Sequence, residues 1–142
     1  MPYVLDTDHI SLLQRRGPNT NALLLRIRHI PPDEVATTII SFQEQVQGWQ
    51  AALHRAKSAK LILEQYARLD SVQTDFQKMN VLAFDQQAQA VFESLRPQCR
   101  RIGLLDLRIA SIAIATDSIL STRNFADFEK VPGLRFEDWT AP

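Results

Sequence analysis

The sequence holds a single cysteine, Cys99, so no disulfide can form within the chain and a cysteine-based zinc site lacks its ligands. Its three histidines, His9, His29 and His54, are too scattered to make a local ligand pair. Any metal would therefore be held by oxygen, the chemistry of Mg²⁺ or Mn²⁺. Only four glycines and seven prolines occur in 142 residues, which is too few for collagen or a low-complexity chain. The longest apolar stretches, such as Ile112 to Ala115, fall far short of the roughly 20 residues that a membrane-spanning helix needs. No basic-apolar-small leader opens the chain, so a cytoplasmic protein without a membrane segment is expected. Neither sign of charge is in excess: 16 basic residues face 16 acidic ones. That balance argues against wholesale wrapping of nucleic acid and leaves room for a local basic patch.

What is present is ordinary globular material, 45% hydrophobic and 23% charged, in a length that predicts one domain over residues 1–142. Pro2 to Leu5 reads as a short buried strand stopped by Asp6-Thr7-Asp8. Asp8 is placed to cap a helix carrying Ile10, Leu12 and Leu13 that breaks at Gly17-Pro18. Asn19 or Thr20 then starts a second helix, ended by Pro31-Pro32. The β-branched run Val35 to Ile40 predicts a second strand. Phe42, Val46, Trp49 and Leu53, then Ile62, Tyr66, Leu69, Val72 and Phe76, are the stripes of two long amphipathic helices. Asn80 to Phe84 reads as a third strand, and Asp85 caps a helix burying Ala88, Val91, Phe92 and Leu95. A further stripe runs through Leu105, Ile109, Ile112 and Ala113. Asp117-Ser118 is a turn, Ile119 to Thr122 a fourth strand, and Leu134 to Phe136 a fifth at the sheet edge. Strands alternating with helices predict a three-layer α/β/α sandwich around a mostly parallel sheet of four or five strands.

In open parallel sheets the functional crevice lies at the carboxyl ends of the strands. Asp6, Glu44, Asp106 and Asn124 all fall there. Glu44 lies about 200° around its helix from Phe42, away from the apolar stripe and on the face of the small residues Gly48 and Ala51. Converging carboxylates repel, and a hard divalent cation both holds them together and activates water against a phosphodiester. Each residue also has a structural reading. Ser41-Phe42-Gln43-Glu44 is a capping box; Asp106 suits the first turn of a helix; Asp8 is a helix cap. Asp6 resists such a reading, because an acid ending a buried strand must bury or solvate its charge. His9 reads as a packing or surface residue, and Trp49 and Tyr66 as core or interface. Arg96, Arg100, Arg101 and Arg108 stand within thirteen residues against the single acid Asp106, which makes either a solvated face or a contact for RNA phosphate.

Three segments carry a resemblance. They are Val4-Leu5-Asp6-Thr7-Asp8, Ile102-Gly103-Leu104-Leu105-Asp106-Leu107-Arg108-Ile109-Ala110, and Leu120-Ser121-Thr122-Arg123-Asn124-Phe125-Ala126-Asp127-Phe128 with Val131-Pro132-Gly133-Leu134. In this order and spacing the chain resembles the PIN-domain ribonucleases along essentially its whole length, and more narrowly the VapC-type toxins of bacterial toxin–antitoxin pairs. The resemblance implies Asp6, Glu44 and Asp106 as the acidic metal-binding triad, with Glu44 matched through its Glu-x-x-x-Gly spacing to Gly48. It implies Asn124 at a fourth catalytic position often held by an acid, and Mg²⁺, with Mn²⁺ as substitute, as cofactor. Thr122, Asp127 and Asp8 would support the metal ligands, and Arg100, Arg101 and Arg123 would contact RNA. Implied partners are structured RNA, a small antitoxin received by the helical pair Phe42 to Phe76, and a second copy of this chain. Asp8, where the family more often has Asn, and Gln45, where it has an apolar residue, depart from the pattern. A strand ending in Asp-x-Asp also suits a phosphohydrolase with an aspartyl nucleophile, and Asn124 raises the case of a PIN-like binding module without catalysis.

Overall fold

The computed structural model describes residues 2–15 and 18–140. Five short strands form one sheet: β1 (Tyr3–Leu5), β2 (Val35–Thr38), β3 (Asn80–Leu82), β4 (Ile119–Ser121) and β5 (Arg135–Glu137). Their order is β3-β2-β1-β4-β5, with every pairing parallel. Parallel neighbours need crossovers, and helices supply them: α1 (Thr7–Arg15), α2 (Pro18–Arg28), α3 (Ile39–Arg55), α4 (Ala59–Gln77), α5 (Gln86–Leu95), α6 (Leu104–Ala115) and α7 (Phe125–Phe128). The expected sandwich is the fold observed, with β5 at an edge.

Alternation along β1 assigns its side chains to two cores. Val4 joins Ile109, Ile112, Leu120 and Phe128 on one face, while Leu5 joins Ile10, Leu23, Val72 and Phe76 on the other. The predicted stripe on α6 is too narrow. Leu107, Ile109, Ala110, Ser111, Ile112 and Ala113 are all buried, so α6 is covered nearly all round, and its one buried hydroxyl is satisfied internally by Ser111 Oγ donating to Leu107 O at 2.7 Å.

Element ends differ from expectation for local reasons. Strand β2 stops at Thr38, and Ile39 and Ile40 open α3, because the Thr38 hydroxyl accepts from the Ser41 N–H at 3.1 Å and caps the helix. The Ser41–Glu44 capping box therefore does not form; Ser41 sits inside the first turn. Asp8 is not a cap either. The Asp6 carbonyl accepts from the N–H groups of His9 and Ile10 at 3.0 and 3.1 Å, so α1 starts at Thr7. Strand β3 ends at Leu82, the residue opposite the last residue of β2, and Asp85 caps α5 as expected, accepting from Ala88 N at 2.9 Å. Thr122 lies one residue past β4, and β5 is shifted by one residue to Arg135–Glu137. Helix α2 starts at Pro18, since proline fits the first helical position; the predicted break at Gly17 lies outside the described residues. The turns at Asp117 (φ 51°) and Gly133 (φ 81°) use left-handed backbone.

The two long stripes pair with each other. Phe42 meets Phe76 at 5.1 Å and Trp49 meets Tyr66 at 5.6 Å between ring centroids, and the Trp49 indole donates to Gln65 O at 2.7 Å. These aromatics stitch α3 to α4 and are not a free stacking platform. Because the cap of α3 is Thr38, Thr38→Ala should lower stability by about 1–2 kcal/mol in urea unfolding; unchanged stability would contradict Thr38 as the cap.

Candidate active site

Strand order reverses direction beside β1: the chain moves outward through β2 and β3 on one side and returns to β4 and β5 on the other. The carboxyl ends of β1 and β4 are thus the switch point at which open parallel sheets place ligands. Asp6 follows β1 and Thr122 follows β4, and the Thr122 hydroxyl donates to Asp6 Oδ2 at 2.8 Å. The backbone N–H of Thr7 donates to Asp6 Oδ1 at 2.7 Å. Both oxygens are fixed, and the residue is only 5% exposed.

Two further acids come from the flanking helices. Helix α3 presents Glu44, whose Oε1 accepts from the Thr7 hydroxyl at 2.7 Å, and Thr7 Oγ1 also stands 3.0 Å from Ser41 Oγ. Helix α6 runs back toward β4, so its first turn lies at the same end of the sheet and carries Asp106. The Asp106 carboxylate makes no hydrogen bond or ion pair among the described residues. Asp6, Thr7, Asp8, Ser11, Glu44, Asp106, Arg123 and Asn124 line one pocket of 400 Å³. The four positions read from the sequence are therefore brought together.

The supporting residues fall into place around them. Asn124 receives its backbone order from Thr122, to whose Oγ1 its N–H donates at 3.0 Å, and its Nδ2 donates to Asp127 Oδ2 at 3.1 Å. Asp8 Oδ2 accepts from the Arg123 N–H at 3.2 Å. Arg123 is the only one of the three predicted RNA contacts at this pocket. Arg100 and Arg101 line a separate depression of 280 Å³ with Lys130, and Arg108 lies over the Phe92 ring at 5.2 Å. The sequence reading missed Thr7, the residue that joins Asp6 to Glu44. Its signal was its place between two acids at a strand end, where a hydroxyl serves both as donor to a side chain and as first residue of a helix.

Electrostatics set the character of the pocket. Burial, then the charge of Asp8 and more weakly that of Asp106, pushes Asp6 up to about 7 against the lowering effect of its Thr122 and Thr7 bonds. Asp106 is pushed up to about 6, by burial first and then by Glu44, Asp127 and Asp8. No basic side chain forms an ion pair with Asp6, Glu44 or Asp106 among the described residues. Among the described residues, no three or more His, Cys, Asp or Glu side chains stand close enough together to hold a metal ion as they are arranged. The donor set is nonetheless all oxygen and the negative charge is uncompensated, which fits a hard divalent ion and no soft one.

An all-parallel α/β/α sandwich with acids converging at the β1/β4 switch point defines the PIN-like class of fold. No family model matches the sequence. The chain is 26% identical over 144 residues to ribonuclease VapC1 of Haemophilus influenzae strain R2866, an alignment covering 99% of each. It is 33% identical over 66 residues to the tRNA(fMet)-specific endonuclease VapC of Salmonella typhimurium, which covers 44% of this chain and 50% of that protein. Among solved structures, VapBC2 of Rickettsia felis bound to a promoter DNA fragment superposes with a TM-score of 0.72 at 26% identity, covering 98% of this chain and 99% of that one. VapBC-1 of nontypeable Haemophilus influenzae superposes with a TM-score of 0.77 at 22% identity, covering 99% and 100%. Over its whole length the chain is thus similar in sequence to a VapC ribonuclease and in fold to the VapBC structures.

Raised carboxyl pKa values are also statements about stability. A folded Asp106 at about 6 against its ordinary 3.8 holds a proton more tightly than the unfolded chain does. Its ionisation therefore destabilises the metal-free fold above pH 6, and that cost disappears below about pH 4. After allowance for solvent screening, Asp106→Asn should raise metal-free stability by about 1 kcal/mol at pH 7 and by nothing at pH 4. Urea unfolding in chelator at both pH values checks this; a variant less stable than the parent at pH 7 would contradict the unpaired-charge account.

Proposed function

We propose that this chain is a divalent-cation-dependent endoribonuclease and the toxin of a toxin–antitoxin pair. One observation carries the reading: Asp6, Glu44, Asp106 and Asn124, each from a different part of the chain, line a single pocket at the sheet's switch point. The end-to-end likeness to a named ribonuclease gives that pocket its reaction class.

Asp6, Glu44 and Asp106 would hold Mg²⁺, or Mn²⁺ in its place, with Asn124 offering a neutral oxygen beside them. The ion, when bound, polarises the phosphodiester and lowers the pKa of the attacking water. The rest is positioning. Thr122 and the Thr7 N–H hold the two oxygens of Asp6, and the Thr7 hydroxyl holds Glu44, so the carboxylates stay aimed into the pocket. Asp127 restrains the Asn124 amide.

Substrate would meet cations on two sides. Arg123 stands on the pocket wall, and Arg100, Arg101 and Lys130 line a separate depression. Arg101 precedes Asp106 by five residues and Lys130 follows Asp127 by three, so the basic cluster is near the acids along the chain. The phosphates of structured RNA are suited to that surface.

A groove of 990 Å³ between α1, α3 and α4 shares Thr7, Ser11 and Glu44 with the acid pocket, and is the place we assign to an antitoxin segment. Its walls are mixed, with Leu13, Val72 and Met79 beside Glu44, Glu64 and Asp75 against Arg68, which favours a peptide helix carrying basic as well as apolar side chains. Leu61, Ile62, Leu63 and Tyr66 on α4 remain exposed and are available to a second copy of the chain. No helix among the described residues is long and apolar enough to cross a membrane; action in the cytoplasm belongs to the same reading.

Purified protein should cut structured RNA with Mg²⁺ or Mn²⁺ and stop on addition of chelator. Asp6→Asn, Asp106→Asn and Glu44→Gln should each lower the rate at least about a hundredfold, roughly 3 kcal/mol of transition-state stabilisation. Near-normal cutting by all three folded variants would overturn the triad, and ester hydrolysis without RNA cleavage would favour a phosphohydrolase.

A further inference from the structure

Helix α1 buries a histidine completely: His9 is 0% exposed, although its ring nitrogens are polar. Its Nδ1 lies 2.8 Å from Asp8 Oδ1, and its Nε2 has no hydrogen-bond partner but faces Asp138 Oδ1 at 3.7 Å. Asp138 follows β5 and is itself held, its Oδ1 accepting from the N–H and hydroxyl of Thr140 at 2.8 and 2.6 Å. The adjoining Trp139 is buried against Tyr3 at 5.0 Å between ring centroids, which anchors this segment to the sheet. A line of groups therefore runs from the end of the last strand, through a dry imidazole, to Asp8. Each ring nitrogen thus faces a carboxylate oxygen, Nδ1 within hydrogen-bond distance and Nε2 beyond it.

Asp8 is the only member of that line that reaches the acid pocket. Its second oxygen is taken by the Arg123 N–H, so its two bonds fix its direction. Asn124, which lines the same pocket, brings no charge, and its Nδ2 is engaged by Asp127. We propose that His9, backed by Asp138, is a positioning residue that fixes Asp8 as the fourth negative charge of the cation site, in place of the charge Asn124 lacks. Asp8 acts through its charge at the pocket wall; the carboxylates of Asp6 and Asp106 already feel it, and an incoming cation would feel it with the opposite sign.

This inference rests on the reading of the pocket as a cation site, and Mn²⁺ binding measured by calorimetry, without RNA, separates the two. Asp8→Asn and His9→Gln should each weaken Mn²⁺ binding by about tenfold, the scale on which groups behind metal ligands act. Adding His9→Gln to Asp8→Asn should cause no further loss, because His9 would act only through Asp8. Asp138→Asn, remote from the pocket, should weaken binding in the same direction, and it carries the test should His9→Gln fail to fold. Wild-type affinity in the folded His9→Gln or Asp138→Asn protein, or an equal loss from His9→Gln in both backgrounds, would overturn the proposal while leaving the cation site standing. A parent protein that takes up no Mn²⁺ would overturn both.

Discussion

Carboxylates that face one another in a half-closed pocket, with no ion pair to Asp6, Glu44 or Asp106 among the described residues, are an unfavourable arrangement, and the rest of the chain is built to enforce it. Asp6 carries the largest penalty, since it is both buried and flanked by Asp8 and Asp106. Its place is dictated by the sheet: it follows the central strand directly, and the Asp6 N–H bonds to Ser121 O of β4 at 2.9 Å. It cannot retreat from the pocket without disrupting the pairing of the two strands that bury Val4 and Leu120.

Hydroxyls do much of the aiming. Thr7, Thr38, Ser41 and Thr122 are small enough to fit among the strand ends and can donate or accept as needed. Thr38 turns the chain from β2 into α3, which puts Glu44 nearly two helical turns later on the pocket side, and Thr7 meets it there. Thr37 secures the neighbouring strands by donating to Leu5 O at 3.2 Å. Local capping chemistry and the geometry of the acidic pocket are thus one network, and the helix that carries Glu44 is positioned by a residue that never enters the pocket.

Much of this was legible in the order of residues because it depends on local rules. Alternating strand and helix patterns specified a parallel sandwich, and acids at strand ends and helix starts specified the end of the sheet where they would meet. Errors came where a local rule had two claimants. Ile39 and Ile40 favour strand, yet the Thr38 hydroxyl starts a helix over them; Asp8 is a good cap, yet Asp6 already fills that position. Long-range partnerships left no trace in the pattern. Nothing near Arg100 and Arg101 announces Lys130, about thirty residues on, and nothing near His9 announces Asp138. The stripes of α3 and α4 were visible, but that they would meet at Phe42–Phe76 and Trp49–Tyr66, leave Ile62 and Tyr66 exposed and open a groove alongside depends on how two helices meet.

The central claim is that the pocket at the β1/β4 switch point exists to hold a divalent ion between acids that otherwise repel. Crystals soaked in Mn²⁺ and measured at its absorption edge test this most directly. The account predicts an anomalous peak inside the pocket within coordination distance of the Asp6 and Asp106 carboxylates, lost in crystals of Asp6→Asn. A peak at some other surface, or none at millimolar Mn²⁺ with all three acids intact, would contradict it.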